Sequence, residues 1–549
     1  MSGRLSLREE GSGDDWNVSD RLLPCLRLIF LALVLAIATY VRIRLLDIPL
    51  ERDEGEYAYM GRLMLKGLPP YLHLYTMKLP GVGIAYAFIM SLFGETARGI
   101  HLGLLIINAA NALLVYLLAQ RLLDRNAAAV SCATYALLSL GRPVDGIYAH
   151  ATHFVVLFFL ASFLLLLRWQ GKRKPLLLGA SGLLLGVAVL MKQHTAMLAV
   201  FACLILARDA WKHGVRGFSA YLLFLLGLCI PYALTALWLA GLGLFGTFWF
   251  WTVTYAGKYA SAVPLLGGLL NLKDAVILNI REAQWPLWLI GGLGGVFLGT
   301  SHGRRTDRVF LAGLTIFSFL AVCPGLYFRE HYFIVLLPAV SLLAGFAVSA
   351  SERAISTTRP GSAFRFIPLC LVITAVGYGV CQEREYLLTA SPFEVSRSIY
   401  GVNPFPESLQ IASYLQQHTA VDDKIAVIGS EPQIYFYADR PAATSYIYMY
   451  GLMEDQPFAA TMQKEMITQL EENRPKYIVM VNTPASWLRK ETSADLIFRW
   501  LDGYMPANYQ PVGIIDIISL TDTVCKWDSQ VKGYSPESVS SVVVYKRKN

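Results

Sequence analysis

Three acids fall within four positions at Asp53-Glu54-Gly55-Glu56, with Tyr57 directly after them. Carboxylates this close can share base and orienting roles, because an ionised carboxylate takes a proton from a hydroxyl it touches. The same acids also suit the first turn of a helix, where they meet the positive end of the macrodipole. A second group is Lys78-Leu79-Pro80-Gly81. A lysine at the start of a helix can hold a phosphate together with free backbone N–H groups, or can rest as an interfacial lysine with its stem in lipid. A third is Arg329-Glu330-His331-Tyr332, whose Arg, His and Tyr can all donate to phosphate or sugar oxygens or can anchor an interface. Asp145, His150 and His153 form a sparser set, as do Lys192 and His194. Two histidines three residues apart could ligate a metal, but no carboxylate stands in an obvious partner position, so no metal site is assigned.

What positions these groups is a chain too apolar for one soluble core. Of its 549 residues, 55% are hydrophobic and 16% charged, with a mean hydropathy of +0.47. Soluble domains carry about 25% charged residues, so the excess apolar surface calls for lipid as solvent. The eight cysteines contain no CxxC pair, which leaves neither a zinc site nor a disulfide framework. The net charge of +8 comes from short clusters between apolar runs and does not indicate nucleic-acid binding.

Apolar runs place spans near 24–43, 97–119, 126–141, 150–168, 175–191, 194–208, 218–240, 285–300, 309–323, 332–350 and 366–382, about eleven at roughly 20 residues per crossing. The first run reads as an uncleaved span rather than a signal peptide, being long for a signal segment. Basic clusters at 168–174, 212–216, 304–308 and 353–365 all fall on one side, which the positive-inside rule makes cytoplasmic. The loops 44–96, 142–149, 192–193, 241–284 and 324–331 are then exterior, and every candidate group named above lies on that side. The spans themselves carry almost no ionisable residues, unlike a transporter with midplane carboxylates. Within 44–96, Tyr57–Lys66 and Pro80–Phe93 read as short surface helices. The aromatic-rich 241–284 reads as an interfacial belt or as a lid over a lipid-borne substrate.

From 383 onward the pattern changes. Strands are expected at 424–428, 476–480, 512–518 and 542–545, and helices at 408–417 and 458–472, an α/β alternation. It contains no glycine-rich nucleotide motif. The expectation is a cytoplasmic tail over 1–23, an α-helical polytopic domain over 24–382, and an exterior α/β domain over 383–549 that covers the membrane part or selects the acceptor.

The order Arg52-Asp53-Glu54-Gly55-Glu56-Tyr57-Ala58, Lys78-Leu79-Pro80-Gly81, then His331-Tyr332 ahead of Leu336-Leu337-Pro338, resembles the GT-C superfamily of membrane glycosyltransferases. It is most similar to the bacterial branch related to protein O-mannosyltransferases and the lipid A aminoarabinose transferase. Glu431-Pro432-Gln433-Ile434-Tyr435-Phe436-Tyr437 with Arg440-Pro441 resembles the exterior domains of those members. The resemblance implies a polyprenyl-phosphate-sugar donor, an exterior acceptor, and an inverting displacement in a bacterial inner membrane, with no required cofactor. By it, Asp53 is the base, Glu54 its support, Tyr57 the tyrosine that follows, and Lys78 the lysine at the donor phosphate. Asp145 stands for the family's second-span aspartate. Arg329, His331 and Tyr332 extend the phosphate set, with Lys192 behind them. Met77 replaces an acid that aminoarabinose transferases carry before the lysine, and Leu79 replaces a proline found in some relatives. The first departure weakens a metal site in this loop and argues against the aminoarabinose reaction specifically. The rival expectations are a carrier for a glycolipid or other amphiphile, and a scaffold whose exterior domain binds a partner.

Overall fold

A computed structural model describes residues 18–299, 304–359 and 362–548. The tail expected over 1–23 lies, for residues 1–17, outside the described residues.

Five helices are long and apolar enough to cross a membrane: Leu22–Arg44, Ala97–Leu122, Ala151–Lys172, Gln193–Gly241 and Ala363–Gln382. A sixth arises if Phe245–Ala260 and Leu265–Arg281, bent by 86°, count as one. Length and apolarity alone therefore do not reproduce the expected count of about eleven. Two causes are visible. Several expected spans are short helices, such as Arg125–Leu138 with 14 residues and Trp285–Phe297 with 13; the first is buried among its neighbours over all but its first two residues. The runs 194–208 and 218–240 form one helical segment, broken at Gly214 (φ 58°, ψ −135°). There the chain turns back, so that a Cβ on Gly217 would lie 2.6 Å from Ala210 Cα.

The basic turns gather at one end of the bundle. Arg173 pairs with Asp209 at 2.7 Å, Arg353 pairs with Asp124 at 2.6 Å, and Arg304 and Arg308 line a small cavity with Asp124 and Arg353. The segments 44–96, 142–149 and 324–331 meet at the other.

The helix Arg52–Leu65 corrects an expectation. The stretch Tyr57–Lys66 reads from sequence as a surface helix, yet all but three residues of the Arg52–Leu65 helix are buried. It is clamped between Gly81–Phe93 and the Gln433–Ala438 helix of the C-terminal domain. Two glycines allow this approach, one on each side. A Cβ on Gly55 would lie 2.4 Å from Gln433 N, and one on Gly61 would lie 2.9 Å from Ala87 N.

The 241–284 segment is helical rather than an open loop, with Phe248 and Trp251 buried. The C-terminal domain carries a five-stranded mixed sheet in the order β1-β2-β5-β3-β4, from Ile425–Ile428 (β1), Tyr477–Asn482 (β2), Tyr509–Ile517 (β3), Thr523–Trp527 (β4) and Ser541–Arg547 (β5). Only β1 and β2 are parallel. The edge strand β4 and the helix Leu496–Asn508 have no counterpart among the expected elements.

Candidate active site

The site starts with a helix cap. Glu51 accepts from Asp53 N at 2.9 Å and Glu54 N at 2.7 Å, and Glu54 returns the bond from Glu51 N at 3.3 Å, completing a capping box. From this fixed start the helix period sorts the acids. Asp53, Glu56 and Tyr57 stand at i, i+3 and i+4 and share a face; that face opens on a cavity of about 440 Å³. Glu54 points elsewhere. It accepts from His101 Nε2 at 3.0 Å and from Ala149 N at 2.5 Å, binding the Arg52–Leu65 helix to the 142–149 segment.

Lys78 reaches the same face from a short turn. Tyr71 donates to Lys78 O at 2.7 Å, and Lys78 N donates to Thr76 Oγ1 at 3.1 Å. Its ammonium donates to Asp53 Oδ1 at 2.7 Å and to Glu56 Oε2 at 2.5 Å, and lies 4.5 Å over the Tyr57 ring. Burial works to raise the Asp53 pKa, but Lys78, helped by His331 and His150, outweighs it and holds the carboxyl well below its ordinary value. Burial likewise works against the charge on Lys78, and Asp53 and Glu56 outweigh it, so the ammonium stays charged.

The opposite wall carries two cations, Lys192 and Arg329. Lys192 Nζ lies 4.2 Å over the Tyr332 ring, and Arg329 sits 5.6 Å from the Tyr327 ring centre and 5.7 Å from that of Tyr450. Among the described residues, neither makes an ion pair within 4.0 Å or a side-chain hydrogen bond. Burial pushes Lys192 down to about 7. Gly81 brings the two walls together: a Cβ there would lie 2.5 Å from Leu190 O, two residues before Lys192. Gln193 Nε2 donates to Met77 O at 2.7 Å, tying the same segments.

Between the walls lie His331 and His150, stacked with ring centres 4.3 Å apart. His331 Nε2 is 3.9 Å from Asp53 Oδ2. Burial lowers both histidines, His150 to about 4, which keeps the rings neutral. Asp53, His150 and His331 bring one ligand atom each to within 4.8 Å of one another, a set able to hold a metal ion. Against such an ion stands Lys78, whose charge already sits on Asp53.

Of the residues singled out in the sequence, Asp53, Tyr57, Lys78, Lys192, His194, Arg329, His331 and Tyr332 line this one cavity. Glu54 and Asp145 do not. Asp145 is buried behind the wall in a left-handed turn (φ 49°), where burial and Glu330 raise its pKa. Glu56, one of the three acids singled out in the sequence but given no role there, also lines the cavity, in helix phase with Asp53. Sequence reasoning missed Tyr446, Tyr448 and Tyr450 of the C-terminal domain, together with Glu454. Trp251, Tyr255 and Tyr259 bring the aromatic 241–284 segment to the cavity wall.

Residues 78–238 match the family described as dolichyl-phosphate-mannose-protein mannosyltransferase. No curated protein sequence matches the chain. Among solved structures, the chain is similar to ArnT from Cupriavidus metallidurans bound to undecaprenyl phosphate, with a TM-score of 0.53 at 15% identity, covering 94% of this chain and 97% of that one. It is also similar to the apo oligosaccharyltransferase of Archaeoglobus fulgidus, with a TM-score of 0.51 at 15% identity, covering 94% of this chain and 76% of that one. The family pattern covers less than a third of the chain, whereas the likeness of fold to ArnT extends along nearly the whole length of both chains.

Proposed function

We propose that this protein moves one sugar from a polyprenyl-phosphate carrier to an acceptor hydroxyl on the exterior face of a bacterial inner membrane, with inversion at the anomeric carbon. The observation that carries the reading is the division of one cavity between an ionised carboxylate, Asp53, and two cations with no acid partner, Lys192 and Arg329.

The acceptor oxygen attacks the anomeric carbon and passes its proton to Asp53, the general base. The bond from that carbon to the phosphate oxygen breaks, and its electron pair leaves with the polyprenyl phosphate. Preorganised cations stabilise this growing charge best where water is excluded, and Lys192 and Arg329 fill that role. Lys78, expected at the donor phosphate, is paired with Asp53 and Glu56, so this reading gives it the task of keeping Asp53 ionised. Undecaprenyl phosphate in the ArnT complex supports a carrier of this chemistry. The basic turns at the other end of the bundle support the exterior placement. The C-terminal domain lies over the cavity and is assigned to acceptor selection.

Purified protein is offered a panel of polyprenyl-phosphate sugars with a cell-envelope acceptor fraction, and release of free polyprenyl phosphate is followed. The reading expects release by wild type and its loss in Asp53→Asn. Undiminished release by a folded Asp53→Asn variant would contradict the assignment of the base.

A further inference from the structure

We infer that Tyr448, supplied by the C-terminal domain, is the positioning residue that orients Asp53, so that both halves of the chain build one active site. The inference rests on the reading of Asp53 as the base.

The segment Tyr446-Ile447-Tyr448-Met449-Tyr450 alternates aromatic and aliphatic residues. The segment runs into the helix Tyr450–Met453, with Met449 at its start (φ −86°, ψ −13°). Ile447 and Met449 are fully buried, whereas all three tyrosines line the cavity. The segment is fixed along its length. Tyr446 donates to Glu465 Oε2 at 2.7 Å, Met449 N donates to Ser430 Oγ at 2.8 Å, and Tyr450 donates to Ala485 O at 2.7 Å. Tyr448 donates its hydroxyl to Asp53 Oδ1 at 3.1 Å, while the Tyr450 hydroxyl accepts from Arg52 Nη1 at 3.0 Å. Asp53 is its one hydrogen-bond partner among the described residues.

The consequence is an asymmetric carboxylate. Oδ1 receives Lys78 at 2.7 Å and Tyr448 at 3.1 Å, from opposite sides of the domain boundary. Among the described residues Oδ2 receives no hydrogen bond, and His331 Nε2 stands 3.9 Å from it. Two donors on one oxygen fix the rotation of the carboxylate plane and leave the other oxygen free to accept the acceptor's proton. One residue earlier, Arg52 fixes the backbone to the same domain. It donates to Ser430 O at 2.5 Å, Glu431 Oε1 at 2.7 Å and Asn403 Oδ1 at 3.0 Å. Arg52 thus sets where Asp53 stands, and Tyr448 sets which oxygen faces the reaction.

The test compares wild type, Tyr448→Phe and Asp53→Asn as full chains in lipid nanodiscs. Turnover is measured against donor concentration, and polyprenyl phosphate binding is measured separately. Tyr448→Phe is expected to lower kcat on the order of tenfold, in line with loss of one bond to a charged group, with donor KM and polyprenyl phosphate binding unchanged. Wild-type kcat in Tyr448→Phe, beside an inactive Asp53→Asn, overturns the positioning role and leaves the base standing. A loss in Tyr448→Phe that comes with raised donor KM or lost phosphate binding also overturns it, because the tyrosine is then part of the wall only. Full activity in Asp53→Asn removes the base and this inference together.

Discussion

Lys78 and Lys192 line the same cavity and live in opposite electrostatic worlds. Lys78 has two carboxylates within 2.7 Å and stays charged despite its burial. Lys192 has only the Tyr332 ring beneath it, and burial brings it to about 7. A buried charge is tolerated when paired and costly when alone. The Lys78 wall is therefore internally paired and the Lys192 wall is not. On the proposed reading, the first holds a base in its ionised state and the second receives a phosphate.

The largest expected effect breaks the first wall. Asp53→Asn is expected to lower turnover about 10²–10⁴-fold, the usual contribution of general base catalysis, while polyprenyl phosphate still binds. Next is the clamp behind that wall. Glu431→Ala leaves Arg52 buried without its acid, and thermal or denaturant unfolding is expected to show a loss of about 3–5 kcal/mol.

The two lysines then separate by assay. Lys192→Ala is expected to weaken polyprenyl phosphate binding about 10–100-fold, the worth of one charge-assisted contact. Lys78→Met is expected to leave that binding within a few-fold and to move the acidic limb of kcat upward. Its sign follows from the pair: burial raises the Asp53 pKa, Lys78 is the main opposing force, and without it the carboxyl protonates at higher pH. A smaller effect is the pH dependence of binding. Below pH 7 Lys192 is protonated and ready for an anion; above it, binding must also take up a proton, so affinity falls by up to about tenfold per pH unit. Titration calorimetry across pH 6–9 is the check, and Lys192→Arg, charged throughout, is expected to flatten the curve. The smallest expected effect is none: a chelator leaves turnover unchanged, because Lys78 supplies at Asp53 the charge a metal would bring.

Much of this contrast was legible in the sequence. Asp53, Lys78, Lys192 and His331 all follow or precede apolar runs on the side opposite the basic turns, and topology alone collects them on one face. Which acid faces the cavity was legible too, once a helix is taken to start at Arg52, since Glu56 shares the phase of Asp53 and Glu54 does not. The alternation of tyrosines at 446, 448 and 450 was likewise open to reading as one aromatic face. Other features were closed to it. Burial of Arg52–Leu65 depends on Gly55 and Gly61 meeting two segments, one of them nearly 380 positions away in sequence. Pairing of Lys78 with Asp53 and Glu56 rather than with an incoming phosphate depends on rotamers that no spacing reveals. Asp145 matched a family position by order, but its left-handed turn directs it behind the wall.

The most direct measurement is an experimental structure of the full chain in nanodiscs with undecaprenyl phosphate bound. The account predicts the phosphate within hydrogen-bond reach of Lys192 Nζ and the Arg329 guanidinium, with Lys78 still on Asp53 and Oδ2 of Asp53 open to the cavity. A phosphate seated on Lys78 with the Asp53 pair broken, or one bound outside this cavity, would contradict it.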